Sequence, residues 1–197
     1  MTTPIMDIIL ASTSPYRRAL LQRLQLPFSC VDPQTEEKAV AGETPADMAK
    51  RLALAKARAV AARYPDALVI GSDQVASIDE RVMGKPGNHE AALDQLRASS
   101  GREVLFHTAL ALLHIEGDLE QFHVEPFSAF FRKLDENALD NYLRREQPYD
   151  CAGSFKCEGL GIALFDKLQG RDPTSLEGLP LIALAGMLAT AGVDVLS

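Results

Sequence analysis

The stretch from Val104 to Ile115 is apolar on both of its alternating faces. A strand of that kind has to be covered on both sides, so it belongs inside a sheet and not at its rim. Gly117-Asp118 turns the chain, and Gln121 to Arg132 returns as the hairpin partner. Pro126 within that partner cannot donate to a ladder, which implies a bulge or an edge. The remainder of the chain must therefore supply layers for both faces of a central hairpin.

It does so by alternating strands with helices. Ile5 to Leu10 reads as a strand, followed by the capping cluster Ser12, Thr13 and Ser14 and by Pro15 in the first helical turn. Ala19, Leu20, Leu21 and Leu24 form that helix's apolar stripe until Pro27 ends it. Phe28 to Val31 reads as a short strand, and residues 32–43 as a polar, acidic loop. Thr44-Pro45-Ala46-Asp47 places an N-cap, a first-position proline and a first-turn acid in helix order, predicting a helix to Tyr64. Ala67 to Ser72 is a dense apolar strand leading into Gly71-Ser72-Asp73-Gln74. A loop with Gly84-Lys85-Pro86-Gly87 precedes a helix near Glu90 to Ala98, and Asp135 caps another reaching about Arg145. A glycine-rich stretch from Gly153 to Gly161, a strand from Ile162 to Leu168 and a helix from about Gly178 to Gly192 complete the order. This pattern predicts an α/β fold with a mixed sheet. With 197 residues, no repeat and no linker, residues 1–197 read as a single domain, folded as two lobes around a cleft.

The formal charge of −7 and pI near 5.1 argue against a nucleic acid polymer as partner. A small phosphorylated ligand needs only a few convergent cations. The N-terminus lacks a basic segment ahead of a long apolar core, and no run is long enough to span a bilayer. The expectation is a cytoplasmic protein without a membrane partner, and a homodimer is compatible with its size. Cys30, Cys151 and Cys157 form an odd set, which favours reduced thiols. No histidine pair or second cysteine pair has zinc spacing, so Cys151 and Cys157 are expected to be small buried residues.

Several positions carry chemical potential. In the strand–loop–helix segment around Ser12 and Ser14, hydroxyls, a helix N-terminus, Arg17 and Arg18 suit a phosphate; a capped helix with two solvated arginines would look the same. At about 100° per residue, Lys56 shares an arc with Met48, Ala49, Leu52, Ala53, Ala55 and Ala59. It either snorkels to a rim or offers its ammonium to a cleft. Asp73 and Gln74 follow an apolar strand, where the ligand crevice of an α/β sheet lies, although a turn aspartate is also common there. Lys85 is held between Gly84 and Pro86. Glu158 sits in the loop Gly153-Ser154-Phe155-Lys156-Cys157-Glu158-Gly159, where glycines allow close approach of a base whose N1–H and N2–H a carboxylate can accept. His89, His107, His114 and His123 do not cluster, and no role is assigned to them.

Taken in order, these segments resemble the Maf family of nucleotide pyrophosphatases. The matches are Leu10-Ala-Ser-Thr-Ser-Pro-Tyr-Arg-Arg18, Glu37, Leu54-Ala-Lys-Ala57, Gly71-Ser-Asp-Gln74, Gly84-Lys-Pro86, Ala152-Gly-Ser-Phe-Lys-Cys-Glu-Gly159 and Gly178-Leu-Pro-Leu181. They cover nearly the whole chain. The resemblance implies an inosine-triphosphatase-like fold with a nucleotide in the central cleft. It also implies hydrolysis of a nucleoside triphosphate to the monophosphate and pyrophosphate with a divalent cation, Mg²⁺ or Mn²⁺. On matching positions, Asp73 is the implied proton acceptor, Ser12, Arg17, Arg18, Lys56 and Lys85 face phosphate, and Glu37 joins Asp73 at the metal.

Branches of the family differ at the positions of Tyr16, Gln74 and Glu158. The pyrimidine-triphosphate branch has arginine at the first and glutamine at the third. The combination here resembles the branch assigned to 7-methyl-GTP, with Tyr16 in place of its common tryptophan. A methylated guanine is cationic, and an aromatic face attracts a stacked cation by about 0.5–2 kcal/mol. Glu158 would oppose the same charge. Two alternatives stand beside this one: a dTTP or UTP pyrophosphatase, and a nucleotide-binding regulator of division without turnover.

Overall fold

A computed structural model describes residues 6–197 of the chain. Ile5, where the sequence reading starts the first strand, lies outside them. Strands β1 (Ile8–Leu10), β2 (Ser29–Cys30), β3 (Leu68–Ile78), β4 (Arg81–Met83), β5 (Glu103–His114), β6 (Leu119–Phe131) and β7 (Phe165–Gly170) form one sheet. Its order is β2-β1-β3-β5-β6-β7, with β4 paired to β3 off that path. β1 runs parallel to β2 and β3, while β3–β5, β5–β6 and β6–β7 are antiparallel, so the sheet is mixed as expected. The helices are α1 (Pro15–Gln22), α2 (Pro45–Ala61), α3 (His89–Ser99), α4 (Glu136–Glu146) and α5 (Leu181–Thr190). Among the described residues no helix is long and apolar enough to cross a membrane.

Strand alternation sorts the core. Ile8, Leu10, Leu68, Ile70, Leu110 and Leu112 pack under α1 and α5, while Ile9, Ala11, Val69, Ala109, Ala111 and Leu113 pack under α2. The far ends of the long strands hold a third cluster around Phe106, Phe127 and Phe131, beneath α3 and α4. Helix α2 approaches very closely, because Ala49, Ala53, Ala57 and Ala61 form a small-residue ridge at i, i+4 spacing. Gly71 receives that ridge without a side chain of its own.

Three expectations need correction. β3 does not stop at Ser72: it continues to Ile78, and Asp73 and Gln74 lie inside it, opposite Ala109 and Thr108 of β5. Their polar groups are tolerated because partners from α2 and from the segment before α5 satisfy them. The region before Gly84 is a second hairpin strand, β4, and not loop. β7 begins at Phe165, and Ile162 belongs to a preceding 3-10 turn. Pro126 lies just beyond the last β6–β7 pair, at Phe127 and Gly170, so it occupies an edge while its pairing with β5 stays regular.

Candidate active site

A cleft of about 400 Å³ opens beside the N-terminus of α1. That volume suits a small ligand. Residues 11–17, loop residues 32–37, Lys56, Gln74, Lys85, the loop around Cys151 and Glu158, and residues 176–178 line it. Ser14 caps α1 by accepting from Arg17 N, and Ser12 Oγ accepts from Ser14 N at 3.1 Å. A hydroxyl used as an acceptor keeps its own proton to donate, so both serines remain phosphate donors.

Lys56 is the electrostatic centre. Burying the Ala ridge of α2 against β3 carries this lysine inward, where its side chain is only 6% exposed. Its Nζ lies 2.5 Å from Glu37 Oε1 and 2.6 Å from Asp73 Oδ1. Burial pushes the Asp73 carboxyl above the usual carboxylate range, although Lys56 and Arg17 pull it down. Burial also works against ionisation of Glu37, but the hydrogen bond and charge of Lys56, with Lys85 and Arg17, hold it below its ordinary value. Asp73 does not line the cleft; it stands directly behind Lys56.

The opposite face of β3 organises the other wall. Ser72 Oγ and Arg17 Nε both reach the carbonyl of Gly178, each at 2.9 Å. Gly178 has φ +107°, which a side chain would strain. Pinned through Nε, Arg17 keeps its remaining guanidinium donors for a ligand. Burial lowers the Arg17 pKa against the raising effect of Asp73 and Glu37, yet a guanidinium stays charged. Gln74 Nε2 donates to Ser175 O at 2.8 Å and to Leu176 O at 3.1 Å. Those carbonyls only accept, so the amide nitrogen must face them and Oε1 is left as an acceptor at the cleft.

A second group surrounds Tyr16. Cys151, Asp150 and Glu158 line the cleft beside it, and burial followed by these neighbours pushes the phenol's pKa up, keeping it neutral. Cys151 and Cys157 are thus half-buried in a cleft wall, with Cys157 also packed against the third core cluster. Gln95 of α3 ties that loop to the one carrying Lys85: it accepts from Ser154 Oγ at 2.6 Å and donates to Gly84 O at 2.9 Å.

Ser12, Tyr16, Arg17, Glu37, Lys56, Gln74, Lys85 and Glu158 are therefore brought together. Arg18 is not: it is exposed and outside the lining, since one helical step from Arg17 turns it by about 100°. Sequence reasoning missed Thr35, Asp150 and Glu177, all of which line the cleft.

A family model for Maf-like protein matches residues 7–191. The chain belongs to the Maf family. It is 51% identical over 197 residues to a 7-methyl-GTP pyrophosphatase of Albidiferax ferrireducens, covering 100% of this chain and 99% of that one. It is 53% identical over 189 residues to the protein of that name from Pseudomonas syringae pv. tomato, covering 96% and 98%. Among solved structures, the Ham1 protein of Staphylococcus aureus gives a TM-score of 0.46 at 15% identity, over 64% of this chain and 72% of that one.

Glu37 and Asp73 are the residues that could hold a divalent cation. Glu37 and Asp73 converge on a single point, marked by the Lys56 ammonium. Thr35 Oγ1, two residues before Glu37, is buried without a hydrogen-bond partner. An orphaned hydroxyl in that setting is completed by a ligand or water. Among the described residues no three His, Cys, Asp or Glu side chains gather as a ready-made metal centre. The missing oxygen ligands would come from phosphate and water, as Mg²⁺ prefers.

Proposed function

We propose that this Maf-family protein hydrolyses 7-methyl-GTP to 7-methyl-GMP and pyrophosphate in the cytoplasm. The observation that carries this reading is the sorting of charge in the cleft. Arg17, Lys56 and Lys85 form a cationic group suited to a triphosphate, whereas Asp150 and Glu158 gather near the Tyr16 ring, with Glu177 beside Glu158. Carboxylates beside an aromatic face suit a cationic base, and N7-methylation makes guanine cationic. A neutral pyrimidine would leave those carboxylates uncompensated. The names of the relatives point to the same substrate. All three cysteines are free thiols, in keeping with a reducing compartment.

Asp73 acts as the general base for a water that attacks the α-phosphorus. In the absence of nucleotide its Oδ1 accepts from Lys56 Nζ. Arg17 and Lys85 stabilise the charge that develops on the leaving pyrophosphate. A divalent cation held by Glu37 and Asp73 would supply further positive charge to the phosphate oxygens. Tyr16 stacks on the base, and Glu158 accepts from its N1–H and N2–H edge.

Pyrophosphate release with Mg²⁺ or Mn²⁺ tests this against 7-methyl-GTP, GTP, dTTP, UTP and CTP. The expected result is fastest turnover of 7-methyl-GTP. Preference for dTTP or UTP would overturn the specificity, and binding without release from any of them would make the protein a regulator and not an enzyme.

A further inference from the structure

Lys56 stands where a metal would. We propose that its ammonium is the resident cation of the Glu37–Asp73 pair. In that role it keeps a divalent ion out until a nucleotide's phosphates draw it away. This rests on the pyrophosphatase reading and adds an order to it: metal and nucleotide arrive together, and the nucleotide-free protein holds no catalytic metal.

Distance and charge both support it. The Lys56 ammonium lies 2.5 and 2.6 Å from the same two carboxylate oxygens that would ligate a divalent ion, at the point where they converge. Ammonium and metal therefore compete for the same carboxylate oxygens. The two carboxylates of Glu37 and Asp73 are already compensated by Lys56, Arg17 and Lys85. Adding a divalent ion alone would leave that charge uncompensated beside buried groups, which is costly. A triphosphate brings the compensating charge and is itself an acceptor for an ammonium. The flexible four-carbon stem of lysine allows the exchange from carboxylate to phosphate. The cleft admits the phosphate at that point, because Lys56, Glu37, Arg17 and Lys85 all line it.

The test is Mn²⁺ binding to the full-length nucleotide-free protein, followed by the electron paramagnetic resonance signal of the free ion. Lys56→Met keeps the stem and removes the charge. It should bind Mn²⁺ about tenfold or more tightly than the wild type, and adding Asp73→Asn should abolish the gain. Equal affinity in wild type, Lys56→Met and Lys56→Gln overturns the proposal. The wild type gives a second readout that needs no variant to fold, the ¹⁵N resonance of the Lys56 ammonium. Millimolar Mg²⁺ alone should leave it in place, and inorganic pyrophosphate with Mg²⁺ should shift it; displacement by Mg²⁺ alone overturns the proposal. Neither readout depends on turnover. Failure to release pyrophosphate from any nucleotide would therefore sink the enzymatic reading while these measurements still decide the exchange.

Discussion

Gly71→Ala couples the fold to the site in a single substitution. A Cβ at Gly71 would lie 2.3 Å from the carbonyl oxygen of Ala53, 2.8 Å from Ala57 N and 2.8 Å from Ala57 Cβ. These atoms belong to the α2 ridge and cannot swing aside. Ordinary contact starts near 3.4 Å, so α2 has to retreat by about 1 Å. Overpacking of this kind costs about 1–3 kcal/mol. Lys56 precedes Ala57 on the same turn, so its contacts with Asp73 and Glu37 stretch with the helix. A displacement near 1 Å at a positioning group costs roughly 10²-fold in rate. Denaturant unfolding and kcat for 7-methyl-GTP measure both effects. Gly186→Ala in α5 is the control, since nothing lies within 4 Å of its Cβ position. It should gain about 0.5–1 kcal/mol and keep full activity. A Gly71→Ala protein with unchanged stability and kcat would refute the claim that the α2–β3 approach sets Lys56.

Three further outcomes are expected. Tyr16→Ala should weaken 7-methyl-GTP more than GTP in competition binding; equal loss for both would show that stacking on a cationic base is the wrong explanation. Arg17→Lys keeps a positive charge but cannot both bond Gly178 O and fork onto phosphate. Loss of a charge-assisted hydrogen bond worth about 1.5–3 kcal/mol predicts a fall in kcat/KM of roughly 10–10², and retention within about twofold would contradict the pinning. Outside the cleft, burial raises the Glu125 carboxyl, but hydrogen bonds from Arg171 and His123 outweigh it and hold the pKa below the ordinary value. A depressed carboxylate stabilises the fold above its unfolded pKa and ceases to do so as pH falls through its folded pKa. Glu125→Gln should therefore cost about 1–2 kcal/mol at neutral pH, and the gap from wild type should close on acidification below about pH 4. A gap independent of pH would contradict the ion pair.

Local signals were the legible ones. Ser14 before Pro15, Thr44 before Pro45 and Asp135 before Glu136 all cap helices as their residue types require. The burial of Lys56 was readable from helical period because its neighbours on that face are mostly alanine and leucine. Asp73 was misplaced at a strand end because Ser72-Asp73-Gln74 looks like punctuation. Lys56 donates to Asp73, and Ser72 Oγ donates to the carbonyls of Ala109 and Gly178, partners that only the folded chain supplies. The β3–β4 hairpin left no signal because its turn uses Asp79 and Glu80 at φ 47° and 65°, where asparagine and glycine are the usual markers. Arg17 and Arg18 are indistinguishable as letters, and only the helix's orientation separates the one in the cleft from the one in solvent. Glu177 and Thr35 carry no pattern of their own; each became visible through the cavity it faces.

The position of bond cleavage is the most direct test of the proposed chemistry. 7-methyl-GTP turned over with Mg²⁺ in ¹⁸O-labelled water should yield one labelled oxygen in 7-methyl-GMP and none in pyrophosphate, by mass spectrometry of the products. Label in the pyrophosphate, or release of orthophosphate as the first product, would contradict attack at the α-phosphorus.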